Sequence, residues 1–274
     1  MTPCLHMAFF GEKNRRPVVF LHGFMGSGAS FAPLVDFLPK DYYSLTVDLP
    51  GHGKSLFSRL GCLASLESFE DVASMVLDDL DAAGIDRFVL YGYSMGGRLA
   101  QQAALTAPER IDGLVLESAG FGISDPDARR VRYENDCRLL DGIRDGSDFD
   151  RLLDQWHDMA LFNTLSPALK SRLKARKRLN GPLELKRAMA LLSVGNQACL
   201  LPDLARAPFP IALLYGQADA KYAALAEQAK AHLPRADVHL IPGASHNIHI
   251  QYPETTARML VDFLRRRMNQ KTRS

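Results

Sequence analysis

The chain has 274 residues, 47% of them apolar and 23% charged, with a formal net charge of +2. That length suits one large α/β domain or two small ones, and the composition is that of a packed globular protein, not a disordered or low-complexity one. A charge so close to zero leaves no electrostatic footprint for nucleic acid, and no run of about 18 apolar residues is present to span a bilayer, so the expected partner is a small molecule.

The first ten residues carry neither a basic leader nor a long apolar run, which reads as a cytoplasmic chain. Pro17–His22 is the first buried-strand candidate, followed by Tyr43–Asp48, Phe88–Tyr91 and Leu114–Glu117. Helical periodicity covers about Glu67–Ala83 and Met95–Thr106. From about Gly122 to Pro208 no strand pattern is visible, and helices dominate, with Phe149–Ala160 and Pro182–Leu192 as the clearest. Strands return at Ile211–Tyr215 and Val238–Ile241, with helices at Tyr222–His232 and Pro253–Met268. Continuous apolar runs predict strands covered on both faces, and their alternation with helices predicts a mainly parallel sheet. The expected organisation is a core of residues 1–121 and 209–274, with residues 122–208 inserted between two strands as a helical lid. The four cysteines, Cys4, Cys62, Cys137 and Cys199, form no CxxC pair and are expected as reduced thiols. No metal-ligand pattern and no cofactor motif is seen.

Gly92-Tyr93-Ser94-Met95-Gly96 directly follows an apolar strand and directly precedes a helical pattern. That is the setting of a nucleophile elbow, a tight turn on which small neighbours leave room for a strained serine. Ser94 then stands at a helix N-terminus, where free N–H groups favour developing negative charge. The loop His22-Gly23-Phe24-Met25-Gly26 follows the first clear strand, so the backbone N–H groups of Phe24 and Met95 are the expected oxyanion-hole donors.

A serine needs a base, and the base needs an orienting acid. Asp219 follows the strand Ile211–Tyr215, and His246 follows Val238–Ile241, which gives the order Ser, Asp, His of an α/β-hydrolase fold. Asp203 and Asp237 do not follow strands in this way. His249 is the competing histidine and is expected on the surface of the next turn or helix, while His52, in Asp48-Leu-Pro-Gly-His52-Gly-Lys-Ser55, is expected in a rigid structural turn. Between Arg129 and Arg187 there are 14 Lys/Arg and 9 Asp/Glu, a balance of +5 against −3 for the remainder. A cationic lid over a catalytic edge suits an anionic substrate. Arg98, four residues after Ser94, lies one helical turn along and can face the same cleft.

Leu49-Pro-Gly-His-Gly-Lys-Ser55, Gly92-Tyr-Ser-Met-Gly-Gly-Arg98, Trp156, Arg176 with Asn180-Gly181, and Ser245-His-Asn247 together resemble the 2-succinyl-6-hydroxy-2,4-cyclohexadiene-1-carboxylate (SHCHC) synthases of menaquinone biosynthesis. The resemblance runs over nearly the whole chain. Met95 departs from the commoner leucine, and Ser245 from the usual glycine before the histidine. The resemblance implies a lyase without metal or cofactor, in which Ser94, with His246 and Asp219, removes the proton α to a succinyl ketone and pyruvate leaves. It also implies that Tyr93, Arg98, Arg132, Trp156 and Arg176 line the pocket, the arginines holding carboxylates; Arg129 and Arg130 lie close enough to Arg132 to compete for its place. A carboxylesterase or carbon–carbon bond hydrolase with Ser94 as covalent nucleophile is the alternative, and a binding module with a spent site is the third.

Overall fold

The computed structural model describes residues 2–271. Seven strands form one sheet: β1 Met7–Phe10, β2 Arg16–Leu21, β3 Tyr42–Val47, β4 Phe88–Tyr93, β5 Ile111–Glu117, β6 Ile211–Gly216 and β7 Asp237–Ile241. Their order is β1-β3-β2-β4-β5-β6-β7. All neighbours run parallel except β1, which pairs antiparallel with β3. The helices are α1 Ala32–Val35, α2 Phe69–Ala82, α3 Met95–Thr106, α4 Pro126–Arg138, α5 Gly146–Asp158, α6 Pro167–Lys177, α7 Pro182–Leu192, α8 Leu201–Ala205, α9 Ala220–His232, α10 Ile248–Gln251 and α11 Pro253–Lys271.

The apolar runs become central strands because both of their faces are covered. In β2, Val19 and Leu21 enter the core under α2 and α3, while Val18 and Phe20 enter the one shared with Leu260 and Phe263 of α11. This two-residue alternation lets one strand feed two cores. β2 has β3 on one side and β4 on the other. The carboxyl ends of β2 and β4 therefore flank the point where the strand order reverses, the usual ligand crevice of such sheets. The elbow follows β4, and the Phe24 loop follows β2.

Helices α4 to α7 lie between β5 and β6, over this edge. Leu153 of α5 and Leu185 of α7 pack with Met25 of the β2 loop, which seats the insertion on the core. Leu201 and Leu204 of α8 already pack in the main core beneath the sheet.

Two features depart from the sequence reading. β1 is absent from it: Met7–Phe10 is apolar throughout, but the run is only four residues long, and Phe9 and Phe10 end 48% and 38% exposed at the edge of the sheet. The cysteines are not all reduced: Cys4 and Cys62 form a disulfide with their Cα atoms 6.3 Å apart, and only Cys137 and Cys199 are free. The cause is tertiary. Asp79 of α2 accepts from the Cys4 and Leu5 N–H groups at 2.8 and 2.6 Å and pins the N-terminal segment beside the turn that carries Cys62. A separation of 58 residues gives no sign of that approach. No helix of the described residues is long and apolar enough to cross a membrane.

Candidate active site

β4 delivers Ser94 into a conformation that L-residues avoid, φ 51° and ψ −111°. The strain is held from two sides. The Ser94 N–H donates to Glu117 O on β5 at 2.8 Å, and α3 starts at once behind it. Gly96 is obligatory, because a Cβ there would lie 2.2 Å from Leu21 O. Met95 opens α3, so its N–H has no partner within the helix.

Ser94 Oγ lies 2.9 Å from His246 Nε2, and His246 Nδ1 lies 2.8 Å from Asp219 Oδ2. A carboxylate can only accept, so Nδ1 carries the proton and Nε2 is free to take one from Ser94. His246 and Asp219 are 4% and 2% exposed, which keeps this line of hydrogen bonds out of water. Asp219 also caps α9, accepting from Tyr222 N–H at 3.4 Å. The rings of Tyr222 and Tyr93 flank His246 at 4.6 and 5.5 Å. Burial raises the pKa of both phenols, Tyr93 well above its ordinary value, so they stay neutral.

His249 is not a surface histidine. It is fully buried, and its backbone N–H and Nδ1 reach Glu117 Oε1 at 3.0 and 2.8 Å, while Tyr91 Oη donates to Glu117 Oε2. A buried carboxylate demands such partners. Glu117 thereby ties the segment just after His246 to the strand end that holds Ser94.

The Phe24 loop has its own support. His52 Nε2 accepts the Met25 N–H at 3.1 Å, with Met25 at φ 58°, and His52 Nδ1 donates to Pro50 O at 3.0 Å. His22 Nε2 accepts Leu49 N–H at 3.0 Å. Both rings are fully buried, and burial lowers their pKa values to about 4 for His22 and about 3 for His52, where the neighbouring His22 adds to the effect. From the lid, Asn180 Nδ2 donates to Met25 O at 3.1 Å, and Asn180 Oδ1 accepts Gly53 N–H at 3.3 Å. Lys177 Nζ donates to Phe24 O at 3.4 Å.

The arginines divide into two groups. Arg98 donates to Leu192 O at 2.6 Å and stands over the Phe69 ring at 5.6 Å. Burial first, and the charge of Arg132 next, pull its pKa down to about 10, against the opposing pull of Tyr222 and Asp136. Arg132 pairs with Asp136 at 2.7 Å, and Arg130 pairs with Glu134 at 3.2 Å. Arg129 donates to Ile123 O at 3.3 Å. Arg176 instead lines a cavity of about 560 Å³, together with Phe24, Tyr93, Lys177, Asn180 and Asn247. Ser94 and His246 do not line this cavity; Tyr93 and Phe24 join it to them. Trp156 meets Phe24 with ring centroids 5.8 Å apart, and its Nε1–H has no partner among the described residues. Sequence reading missed Glu117, His22 and Lys177. A histidine at the end of β2 was the available sign for His22, and the Arg176-Lys177-Arg178 run was the sign for Lys177. Among the described residues, no three His, Cys, Asp or Glu side chains gather to hold a metal.

A buried base line behind a strained serine, set at a sheet's switch point beneath an inserted helical layer, is the layout of an α/β-hydrolase-fold enzyme. The chain belongs to the alpha/beta hydrolase family, whose sequence pattern matches residues 18–259. Within it the chain belongs with the SHCHC synthases. It is 32% identical to the 2-succinyl-6-hydroxy-2,4-cyclohexadiene-1-carboxylate synthase of Yersinia pestis bv. Antiqua over 90% of this chain and 86% of that one. The Yersinia pseudotuberculosis serotype O:3 enzyme of the same name gives the same identity and coverage. Among solved structures, MenH from S. aureus superposes with a TM-score of 0.85 at 25% identity, covering 96% of this chain and 99% of that one. The enol-lactonase from Burkholderia xenovorans, at 21% identity and a TM-score of 0.74 over 95% and 96% of the two chains, shares the fold.

Proposed function

We propose that this chain is a carbon–oxygen lyase that converts 2-succinyl-5-enolpyruvyl-6-hydroxy-3-cyclohexene-1-carboxylate into SHCHC and pyruvate, a step of menaquinone biosynthesis. The observation that carries the reading is the kinship with named SHCHC synthases at 32% identity over 90% of the chain. The geometry supports it. His246 Nε2, 2.9 Å from Ser94 Oγ, withdraws the hydroxyl proton, and Asp219 balances the imidazolium that forms. Ser94 Oγ takes the ring proton α to the succinyl ketone. The electron pair moves into the ring, the ring double bond shifts, and the bond to the enolpyruvyl oxygen breaks. The leaving enolate takes up a proton as pyruvate, and the ring is left with two conjugated double bonds.

The N–H groups of Phe24 and Met95 are the donors for the enolate charge that builds on the ketone oxygen, a stabilisation that such fixed dipoles provide without reorganising. Arg98, Arg132 and Arg176 are the cations for the substrate carboxylates, and Tyr93 and Trp156 complete the walls. Holding a multiply charged substrate in one pose is itself a large part of such a rate enhancement.

The test is incubation of the purified protein with the enolpyruvyl substrate. Pyruvate release coupled to lactate dehydrogenase and a growing diene absorbance are expected together. A folded protein that yields neither overturns the reading. An acyl group trapped on Ser94 with an ester substrate points instead to a hydrolase.

A further inference from the structure

Lys177 ends α6, and its ammonium reaches the Phe24 carbonyl at 3.4 Å. The other lysines of this layer are neutralised by neighbours: Lys174 by Asp154, Lys170 by Asp158 and Lys186 by Asp141. Arg178, the next residue, is held by Asp150. Among the described residues Lys177 pairs with no carboxylate, and neither does the adjacent Arg176; both line the cavity of about 560 Å³. An ammonium has three donors, and one long bond to a carbonyl leaves two unused. Burial has already drawn its pKa down to about 8, so the group is partly stripped of water yet charged at neutral pH. The groups facing it cannot compensate: His22, His52 and His157 are all held neutral by burial.

Phe24 lies between this cation and the elbow. Gly23, which precedes it, is so close to the elbow that an added Cβ would sit 3.4 Å from Ser94 Cβ. An anion bound by Lys177 is therefore one residue's width from the N–H proposed to face the reacting ketone. We propose that Lys177 is a substrate-binding residue, and that its ammonium, with Arg176 beside it, holds a carboxylate of the substrate in the cavity on the Phe24 side. Arg98 and Arg132, on the α3 and α4 side, then serve a different carboxylate. This inference rests on the proposed reaction for the identity of the anion, but not for the site.

Lys177→Met and Lys177→Arg variants test it with two readouts. The first is pyruvate release from the enolpyruvyl substrate. The second is quenching of Trp156, the one tryptophan in the chain, on titration with 2-succinylbenzoate, a stable aromatic keto-dicarboxylate. Lys177→Met is expected to raise KM and the quenching Kd by about thirtyfold or more, the range for removing one partner of a desolvated charge pair, with kcat changed less and the thermal midpoint kept. Lys177→Arg restores most of both, because a cation remains. Unchanged KM and unchanged quenching in Lys177→Met overturn the proposal. So does a fall in kcat alone, which marks a residue that only braces Phe24. If the unaltered protein releases no pyruvate but Lys177→Met still loses the dicarboxylate, the proposed reaction fails and the Lys177 site stands.

Discussion

The two buried histidines behind the Phe24 loop make stability fall with acid in a way that can be worked out in advance. An unfolded histidine titrates near pH 6.5, whereas in the fold His22 is lowered to about 4 and His52 to about 3, burial being the main cause. Above the unfolded value both states are neutral, and neither ring contributes to pH dependence. As pH falls below it, only the unfolded chain takes up the two protons, so the native state loses ground until its own pKa values are reached. At pH about 5 each ring is about 1.5 units below its unfolded value and costs about 2 kcal/mol, or about 4 kcal/mol for both. The figure requires only that the native values lie below 5. In His52→Gln the side-chain carbonyl can still accept the Met25 N–H, and one titrating ring is gone. Urea unfolding at pH about 7.5 and about 5 therefore separates the two proteins: the loss on acidification is about 2 kcal/mol smaller in the variant, at unchanged m-value. If His52→Gln loses as much stability as the unaltered chain between these pH values, His52 is not held neutral and the account of the loop is wrong.

Other substitutions test the catalytic edge. Ser94→Ala is expected to lower kcat by about a thousandfold or more with the melting temperature nearly unchanged, since the proposed reaction runs through that hydroxyl. Ser94→Gly abolishes activity too, but raises stability by about 1 kcal/mol, because φ 51° costs glycine nothing; a lower urea midpoint contradicts the strain at the elbow. Arg98→Ala should reduce kcat/KM by about 2–5 kcal/mol in transition-state terms, and an unchanged value makes Arg98 a structural residue only. Gly96→Ala gives no folded protein in circular dichroism, since its Cβ would meet Leu21 O at 2.2 Å.

The central strands were readable because burial on both faces leaves a longer apolar run than the four residues of the edge strand β1. The strand ends then located Ser94, Asp219 and His246, since each follows a strand in the chain, and the structure joins them by hydrogen bonds of 2.8 and 2.9 Å. Two lid helices were harder. No residue of α4 is buried, and only Leu173 of α6 is, so neither has an apolar stripe to betray it. β1 was overlooked for a different reason: its run of four apolar residues is short. What periodicity cannot carry is pairing across the fold. Cys4 with Cys62, Glu117 with His249, and His52 with Met25 are separated by 58, 132 and 27 residues, and nothing local distinguishes these side chains from their unpaired equivalents.

Asn180 couples the inserted helices to two loops of the catalytic edge. Its side chain holds Met25 O and Gly53 N–H together, at the junction of α6 and α7. Two such bonds are worth about 2 kcal/mol, a factor of about thirty over an arrangement in which both are broken. The same turn is held from the other side by His52, which accepts the Met25 N–H, so the loop after β2 is clamped between the core and the inserted helices. A substitution at the α6–α7 junction therefore reaches that loop without touching Ser94, Asp219 or His246.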